Sequence, residues 1–252
     1  MAELHRFART EVLIGEEGLA KLANSSVAVF GLGGVGSHAA EALCRAGVGR
    51  LTLVDFDTIC VSNINRQLHA LESTVGRPKA QIMAERLRQI NPAADILPLQ
   101  DFYGAETSAF LLDPGYDYVV DAIDHITGKL HLIRSCRERG IPIIASMGAA
   151  AKTDPTRIRV ADISETHKCR MARIVRKLLK QQGITQGVKV VFSTEEYREG
   201  SIRLHEHPPA DLADGPAGWQ RRGILGSISY IPPLFGYTMA GVVVSDLLAE
   251  GC

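Results

Sequence analysis

The sequence has few cysteines and no net charge, and both facts narrow the possible functions. Its five cysteines, an odd number, contain no Cys-x-x-Cys pair, so we expect neither a disulfide framework nor a cysteine-rich zinc site. Basic and acidic residues balance at 28 each, so an anionic partner would have to bind a local basic patch. The first ten residues carry charges but no apolar core, which predicts no secretory signal and a cytoplasmic protein.

A long uninterrupted apolar run is also missing. The most apolar stretch, YIPPLFGYTMAGVVVSDLLA, is interrupted by Pro232, Pro233 and Asp246. A membrane-spanning helix needs about 20 apolar residues. We therefore expect a buried core helix here and no stable membrane span, with contact to a membrane surface as the alternative.

Short apolar runs alternate with amphipathic segments along the first part of the chain. The runs VAVFG, RLTLVD, ADILPL, DYVVDAI and IPIIASM are separated by helical patterns at residues 37–45, 79–90, 107–112 and 129–139. This alternation predicts an α/β fold, doubly wound, with a mainly parallel sheet. A strand RIRVADI, a helix MARIVRKLLKQ, a strand VKVVFS and a loop-rich segment at 193–223 follow. We expect one domain over residues 1–252, with a core at 1–150 and a mixed α/β extension at 151–252.

The turn after the first predicted strand carries a glycine motif. Gly31, Gly33 and Gly36 fit Gly-x-Gly-x-x-Gly between a strand and a helix. Glycines let the backbone approach a phosphate, and the free N–H groups at the helix start stabilise it. Asp55 ends the second strand, where a carboxylate can bind ribose hydroxyls. The motif indicates a nucleotide site but does not choose among NAD, FAD and ATP, and a tight packing turn is the alternative.

Polar residues after the second strand favour ATP over NAD. They are Asp57, Ser62, Asn63, Asn65, Arg66, Gln67 and Lys79. Hydride transfer leaves the pyrophosphate unchanged, whereas nucleotidyl transfer must neutralise moving charge, a role that suits Arg66 and Lys79. Asp121 and Asp124 end the strand in YVVDAIDH, and a carboxylate at that edge of the sheet can hold Mg²⁺. For each residue taken alone, a cap or loop hydrogen bond is the alternative.

The motifs GLGGVGS, VDFDTICVSNINRQ, GRPKA, INP and DAID together resemble the adenylating family of ubiquitin-activating enzymes and sulfur-carrier adenylyltransferases. The resemblance spans about residues 6–162. It implies a Rossmann-like fold, ATP with Mg²⁺, and attack of a carboxylate on the α-phosphate with release of pyrophosphate. It also implies that Gly34 and its neighbours line the phosphates, that Asp55 binds the ribose and that Asp124 holds the metal. Residues implied to bind the triphosphate are Asn63, Asn65, Arg66 and Lys79.

The same resemblance implies a homodimer. Arg9, in HRFAR, matches an arginine that reaches the partner subunit's active site in this family. His125 stands where relatives often have asparagine.

The second half of the chain separates branches of the family. Sulfur-carrier adenylyltransferases often have two zinc-binding Cys-x-x-Cys pairs, which this sequence lacks. The stretches NRQLHAL, KAQIMAERLRQINP, GAAAKTDPTRIRVADISET and VVFSTE are similar to a branch that dehydrates a threonylcarbamoyl-modified adenosine next to the tRNA anticodon. This similarity implies adenylation of the threonyl carboxylate, then cyclisation with loss of AMP. The alternatives are an adenylyltransferase acting on a C-terminal diglycine, with a sulfur-transfer partner protein, and an ATP-binding scaffold without turnover.

The stretch HKCRMARIVRKLLK departs from that branch. Cys169 would accept an acyl group if a nearby cation lowered its pKa, although dehydration needs no enzyme cysteine because the nucleophile belongs to the substrate. Basic residues recur at helical spacing on one face, namely Arg170, Arg173, Arg176, Lys177 and Lys180, while Met171, Ile174, Val175, Leu178 and Leu179 share the other. This stripe fits an RNA backbone, and a solvated helix would have the same pattern.

Further on, Trp219 beside two arginines would stack on an unpaired base or anchor a loop.

Overall fold

A seven-stranded sheet organises the molecule, and a computed structural model describes residues 5–112, 115–197, 200–204 and 223–249. The strands are β1 (Ser26–Phe30), β2 (Arg50–Val54), β3 (Asp95–Leu99), β4 (Tyr118–Asp121), β5 (Ile143–Ser146), β6 (Ile158–Asp162) and β7 (Lys189–Ser193). Their order is β3-β2-β1-β4-β5-β7-β6, and only the edge strand β6 runs antiparallel to its neighbour. The prediction of a mainly parallel, doubly wound sheet is confirmed.

Helices cover both faces of this sheet. They are α1 (Ala8–Asn24), α2 (Gly36–Ala46), α3 (Lys79–Ile90), α4 (Ser108–Leu111), α5 (Ile126–Arg139), α6 (Arg170–Gln181) and α7 (Ile231–Ala249). The predicted helices are present, and α5 begins three residues earlier than expected. Two further strands, β8 (Ile202–Leu204) and β9 (Gly223–Leu225), pair with each other; β8 lies inside the segment expected to be loop-rich, and β9 begins at the last residue of that segment.

Helix α1 is the one helix of the described chain that the apolar pattern does not predict. Its Gly15 has φ 77°, which kinks the helix, and Val12 and Leu13 are 91% and 84% exposed. Ile14, before the kink, packs against the core and Leu22, after it, is fully buried, so one helical period does not run through the whole helix.

The strands alternate between two buried layers. In β1, Val27 and Val29 pack with α2, α3 and α7, whereas Ala28 and Phe30 pack with α5 and α6. Successive strand residues point to opposite faces, so a strand buried on both faces is apolar throughout. This explains the short continuous apolar runs in the sequence.

The apolar C-terminal stretch forms α7, which packs on α2 as a core helix. Among the described residues it is the one helix long and apolar enough to cross a membrane. Phe235, Met239 and Val243 are fully buried, and a Cβ on Gly236 would lie 2.4 Å from the carbonyl oxygen of Val35.

The register of the parallel strands brings three loops to one edge of the sheet. Phe30 aligns with Val54 on one side and with Asp121 on the other, so β1, β2 and β4 end together. The chain leaves β1 toward β2 and returns on the other side to β4, which makes this point the topological switch where open α/β sheets bind ligands. The candidate site lies in the loops that follow these strands.

Candidate nucleotide-binding site

The glycine loop between β1 and α2 is shaped by close backbone contacts. Gly31 has φ 85°, its N–H donates to the carbonyl of Val54 (2.8 Å), and a Cβ would lie 2.8 Å from the carbonyl oxygen of Ala122. A Cβ on Gly36 would lie 1.8 Å from the carbonyl oxygen of Gly31. Both positions therefore require glycine for packing. A Cβ on Gly33 would meet only Gln67 Nε2, at 4.0 Å, so neighbouring protein atoms leave room there.

Gly34 connects the glycine loop to the C-terminal helix. A Cβ here would lie 2.9 Å from Cβ of Pro232, in the first turn of α7, and 3.2 Å from Cγ of Arg66. The second half of the chain thus fixes the loop from outside the motif. The pair Pro232–Pro233 interrupts an apolar run but suits the start of a helix, in agreement with the core helix that the sequence predicts here.

Asp55 and Asp57, which follow β2, link the loop to α3. Asp55 Oδ2 accepts a hydrogen bond from the Leu32 N–H (2.6 Å), and its Oδ1 accepts one from the Asp57 N–H (2.9 Å). Lys79, the first residue of α3, donates from Nζ to Asp57 Oδ2 at 2.7 Å and is almost fully buried. Burial raises the pKa of Asp55, and the charge of Lys79 opposes this rise.

The turn at residues 61–67 holds a cluster of predicted triphosphate ligands. Asn63 is buried, and its Oδ1 accepts from the Cys60 N–H (3.1 Å), which is the cap expected as the alternative to a ligand role. Arg66 Nη1 donates to the Ser62 carbonyl and to Asn65 Oδ1, both at 2.9 Å. Asn65 Nδ2 donates to the carbonyl of Ser227 (3.1 Å). Asn65 and Arg66 are thus held as a unit between this turn and the chain before α7.

Asp121 and Asp124 differ sharply in environment. Asp121 is fully buried, its Oδ1 lies 2.8 Å from Lys129 Nζ, and that same oxygen accepts from the Ile123 N–H (3.0 Å). Burial raises the pKa of Asp121, and the Lys129 ammonium opposes the rise. Asp124, three residues further on, is exposed at the edge of the sheet. The structure therefore places Asp124 where a ligand can reach it, whereas Asp121 is buried under the loop that follows β4. Lys129, the partner of Asp121, was missed by the sequence analysis.

His125 caps α5 and stacks on an aromatic side chain. Its Nδ1 accepts from the Gly128 N–H (3.1 Å), so the ring is the N-cap of α5. The ring stacks on Phe102, with centroids 4.8 Å apart, and Phe102 contacts Phe56 edge to face. These three rings join the loops after β2, β3 and β4.

Other predicted residues lie apart from this cluster. Arg9 is on the exposed side of α1, and Cys169 is buried at the N-terminus of α6. Trp219 and its neighbouring arginines lie outside the described residues. Of the five basic residues in α6, Arg176 donates to the carbonyl and to Oγ1 of Thr166. Ile174, expected on the buried face of this helix, is 38% exposed.

Comparison with known proteins identifies the family to which the chain belongs. The model of the ThiF family matches residues 7–250. A solved structure of Escherichia coli tRNA N6-threonylcarbamoyladenosine dehydratase in complex with ATP superposes with a TM-score of 0.84 at 36% identity, covering 97% of this chain and 94% of that one. The fold of the chain is therefore that of the ThiF family.

The relatives then narrow the class to one branch. A tRNA threonylcarbamoyladenosine dehydratase from Bacillus subtilis is 48% identical over 98% of this chain and 96% of its own. A molybdopterin-synthase adenylyltransferase from Salmonella typhimurium is 34% identical over 73% of this chain. The chain belongs to the ThiF family, and to its branch of tRNA threonylcarbamoyladenosine dehydratases.

Proposed function

We propose that this protein is an ATP-dependent tRNA threonylcarbamoyladenosine dehydratase. The likeness to the Bacillus subtilis dehydratase, which extends over nearly the whole of both chains, carries the proposal. The glycine loop and the charged groups at the ends of β2 and β4 supply what binding and adenylation require. The sulfur-carrier alternative has weaker support, because its relatives match a smaller part of the chain.

ATP fits the edge of the sheet on physical grounds. The loop at residues 31–36 presents backbone to a phosphate where Gly33 leaves space, and α2 begins there with its free N–H groups. Asp55 lies at the end of β2 to bind the ribose. Arg66 and Lys79 are the cations for the triphosphate, and Asn63, Asn65 and Gln67 border them. We propose that these residues hold ATP.

Mg²⁺ fits the same site with Asp124 as its protein ligand. No group of three or more His, Cys, Asp or Glu side chains that could hold a metal occurs among the described residues. This suits Mg²⁺, which usually binds one or two carboxylates together with substrate phosphates and water. The metal would offset negative charge on the phosphates during nucleotidyl transfer.

The reaction needs activation and positioning from the protein. An oxygen of the threonyl carboxylate attacks the α-phosphorus, and pyrophosphate leaves. A nucleophile within the same modification then attacks the carbonyl carbon, and AMP leaves with the former carboxylate oxygen. The modified adenosine has lost one water in sum. Both nucleophiles belong to the substrate, so the buried Cys169 has no covalent role in this scheme.

We propose a homodimer in which α1 of each subunit contacts its partner. Arg9 lies one turn before Val12 and Leu13, the two most exposed large apolar side chains in the described part of the chain. Exposed apolar side chains beside a cation expected to enter the partner's site fit a subunit interface. We also propose that the chain is one domain and acts in the cytoplasm. The single domain is supported by β6 and β7, which extend the sheet of the first half, and by α7, which packs on α2. The sulfur-transfer partner stays a prediction.

Product release separates the candidate functions. The protein is incubated with ATP, Mg²⁺ and threonylcarbamoylated tRNA, and separately with a carrier protein ending in diglycine. The dehydratase proposal predicts pyrophosphate and AMP with the modified tRNA alone. Pyrophosphate only with the carrier would support the adenylyltransferase alternative, and none with either substrate would support the scaffold.

A further inference from the structure

We propose that one exposed face of α6 binds the phosphate backbone of the tRNA next to the reacting adenosine. This face, the α6 basic face, consists of Arg170, Arg173, Lys177 and Lys180. The inference rests on the proposed function and adds a surface through which the substrate is held.

The α6 basic face is narrow, exposed and continuous. At 100° per residue its four positions fall within about 80° of the helix circumference and extend over about 15 Å. All four side chains are exposed, and among the described residues none of them forms an ion pair or a side-chain hydrogen bond. Arg176 lies to one side of this face and is held by Thr166, so the structure itself separates it from the four available cations.

Helix α6 begins at the site edge of the sheet and runs away from it, so the α6 basic face leads outward from the site. Cβ of Met171, in its first turn, lies 3.6 Å from the Cβ position of Gly148, which follows β5 at the same edge of the sheet as the nucleotide loop. Strand β7 runs parallel to β5, so α6 must travel from that edge to the opposite one before β7 begins. Arg170 therefore lies at the site edge, and Lys180 lies farthest from it. A tRNA with one adenosine in the site must extend beyond it, and a row of cations leading outward is suited to its phosphates.

Burial on the other side of α6 argues against a membrane as the anionic partner. A helix that binds a membrane surface inserts its apolar face between the lipids. The apolar face of α6 already packs in the core, where Ala172, Val175 and Leu179 are fully buried. The charged face remains exposed, with Ile174 at 38% as the one large apolar side chain of α6 that is exposed beside it, and this is too little apolar surface for insertion between lipids.

The test reverses two charges in the middle of the α6 basic face. In R173E/K177E we expect KM for modified tRNA to rise about tenfold or more with kcat nearly unchanged. The slope of log affinity for unmodified tRNA against log salt should become shallower by about 1.5, because two phosphate contacts are lost. Affinity for a fluorescent ATP analogue should stay at the wild-type value, which also shows that the variant is folded.

R45E/R50E is the control with the same change in charge. Arg45 is in the last turn of α2 and Arg50 begins β2, so both lie at the opposite edge of the sheet. This control should retain the wild-type KM and salt slope. Unchanged tRNA binding in R173E/K177E, or an equal loss in R45E/R50E, would overturn the inference. Wild-type protein that binds tRNA without dehydrating it would instead contradict the proposed function.

Discussion

His69 should make the protein less stable in mild acid. The side chain is 2% exposed, and among the described residues neither ring nitrogen has a hydrogen-bond partner. Burial, and to a lesser extent the charges of Lys79, His38 and Arg86, lower its pKa from 6.5 to about 3. Between these values the unfolded chain binds a proton that the folded chain does not. Stability should therefore fall as the pH falls below 6.5.

The size of this effect follows from the pKa difference. Each pH unit below the unfolded value is worth about 1.4 kcal/mol, so His69 should lower the free energy of unfolding by about 2 kcal/mol at pH 5 relative to pH 8. His69→Leu removes the titrating group without breaking a side-chain hydrogen bond. Between pH 8 and pH 5 this variant should lose about 2 kcal/mol less free energy of unfolding than wild type, because all other titrating groups contribute equally to both proteins.

Urea unfolding at pH 8, 6.5 and 5 measures the difference directly. His167→Leu, at an exposed histidine, is the control for replacing an imidazole with leucine. If His69→Leu and wild type lose the same free energy between pH 8 and pH 5, the reasoning about the buried ring is wrong.

Four single substitutions test the assigned roles. Arg66→Ala or Lys79→Ala should reduce pyrophosphate release by roughly 10²-fold, since each removes a preorganised cation, and normal turnover would refute the assignment. Lys129→Met should cost about 3–5 kcal/mol in urea unfolding because Asp121 would be left buried and unpaired, and D121N/K129M should recover part of the loss. Equal stability of these two variants would argue against the ion pair. Cys169→Ser should keep dehydration near wild type, and its loss would indicate a thioester step.

The sequence predicts the sheet well because the strands carry their own signal. Strands buried on both faces are continuous apolar runs, and the glycines at Gly31 and Gly36 mark the turn between β1 and α2. Helix α1 was missed because the kink at Gly15 interrupts its apolar period, and β8 and β9 because each has only three residues. Their pairing depends on contacts distant in the sequence, which a local pattern does not contain.

The residue types of the candidate site were predictable from the sequence, whereas the buried contacts that hold those residues in place were less so. The sequence placed Asp55 and Asp124 at the ends of two strands, where the structure has them, and the roles of these residues and of Lys79 stay predictions. The sequence contained no indication that Asp121 forms a buried ion pair with Lys129, eight residues further along the chain, because a buried ion pair has no sequence signature. Contact of Gly34 with Pro232 was equally hidden, since it joins residues almost 200 positions apart.

Mass spectrometry of nucleosides tests the central claim most directly. Threonylcarbamoylated tRNA is incubated with the protein, ATP and Mg²⁺, digested to nucleosides and compared with a reaction lacking ATP. The proposed function predicts that the modified adenosine loses the mass of one water only when ATP is present. An unchanged nucleoside mass, with a folded protein that binds ATP, would contradict it.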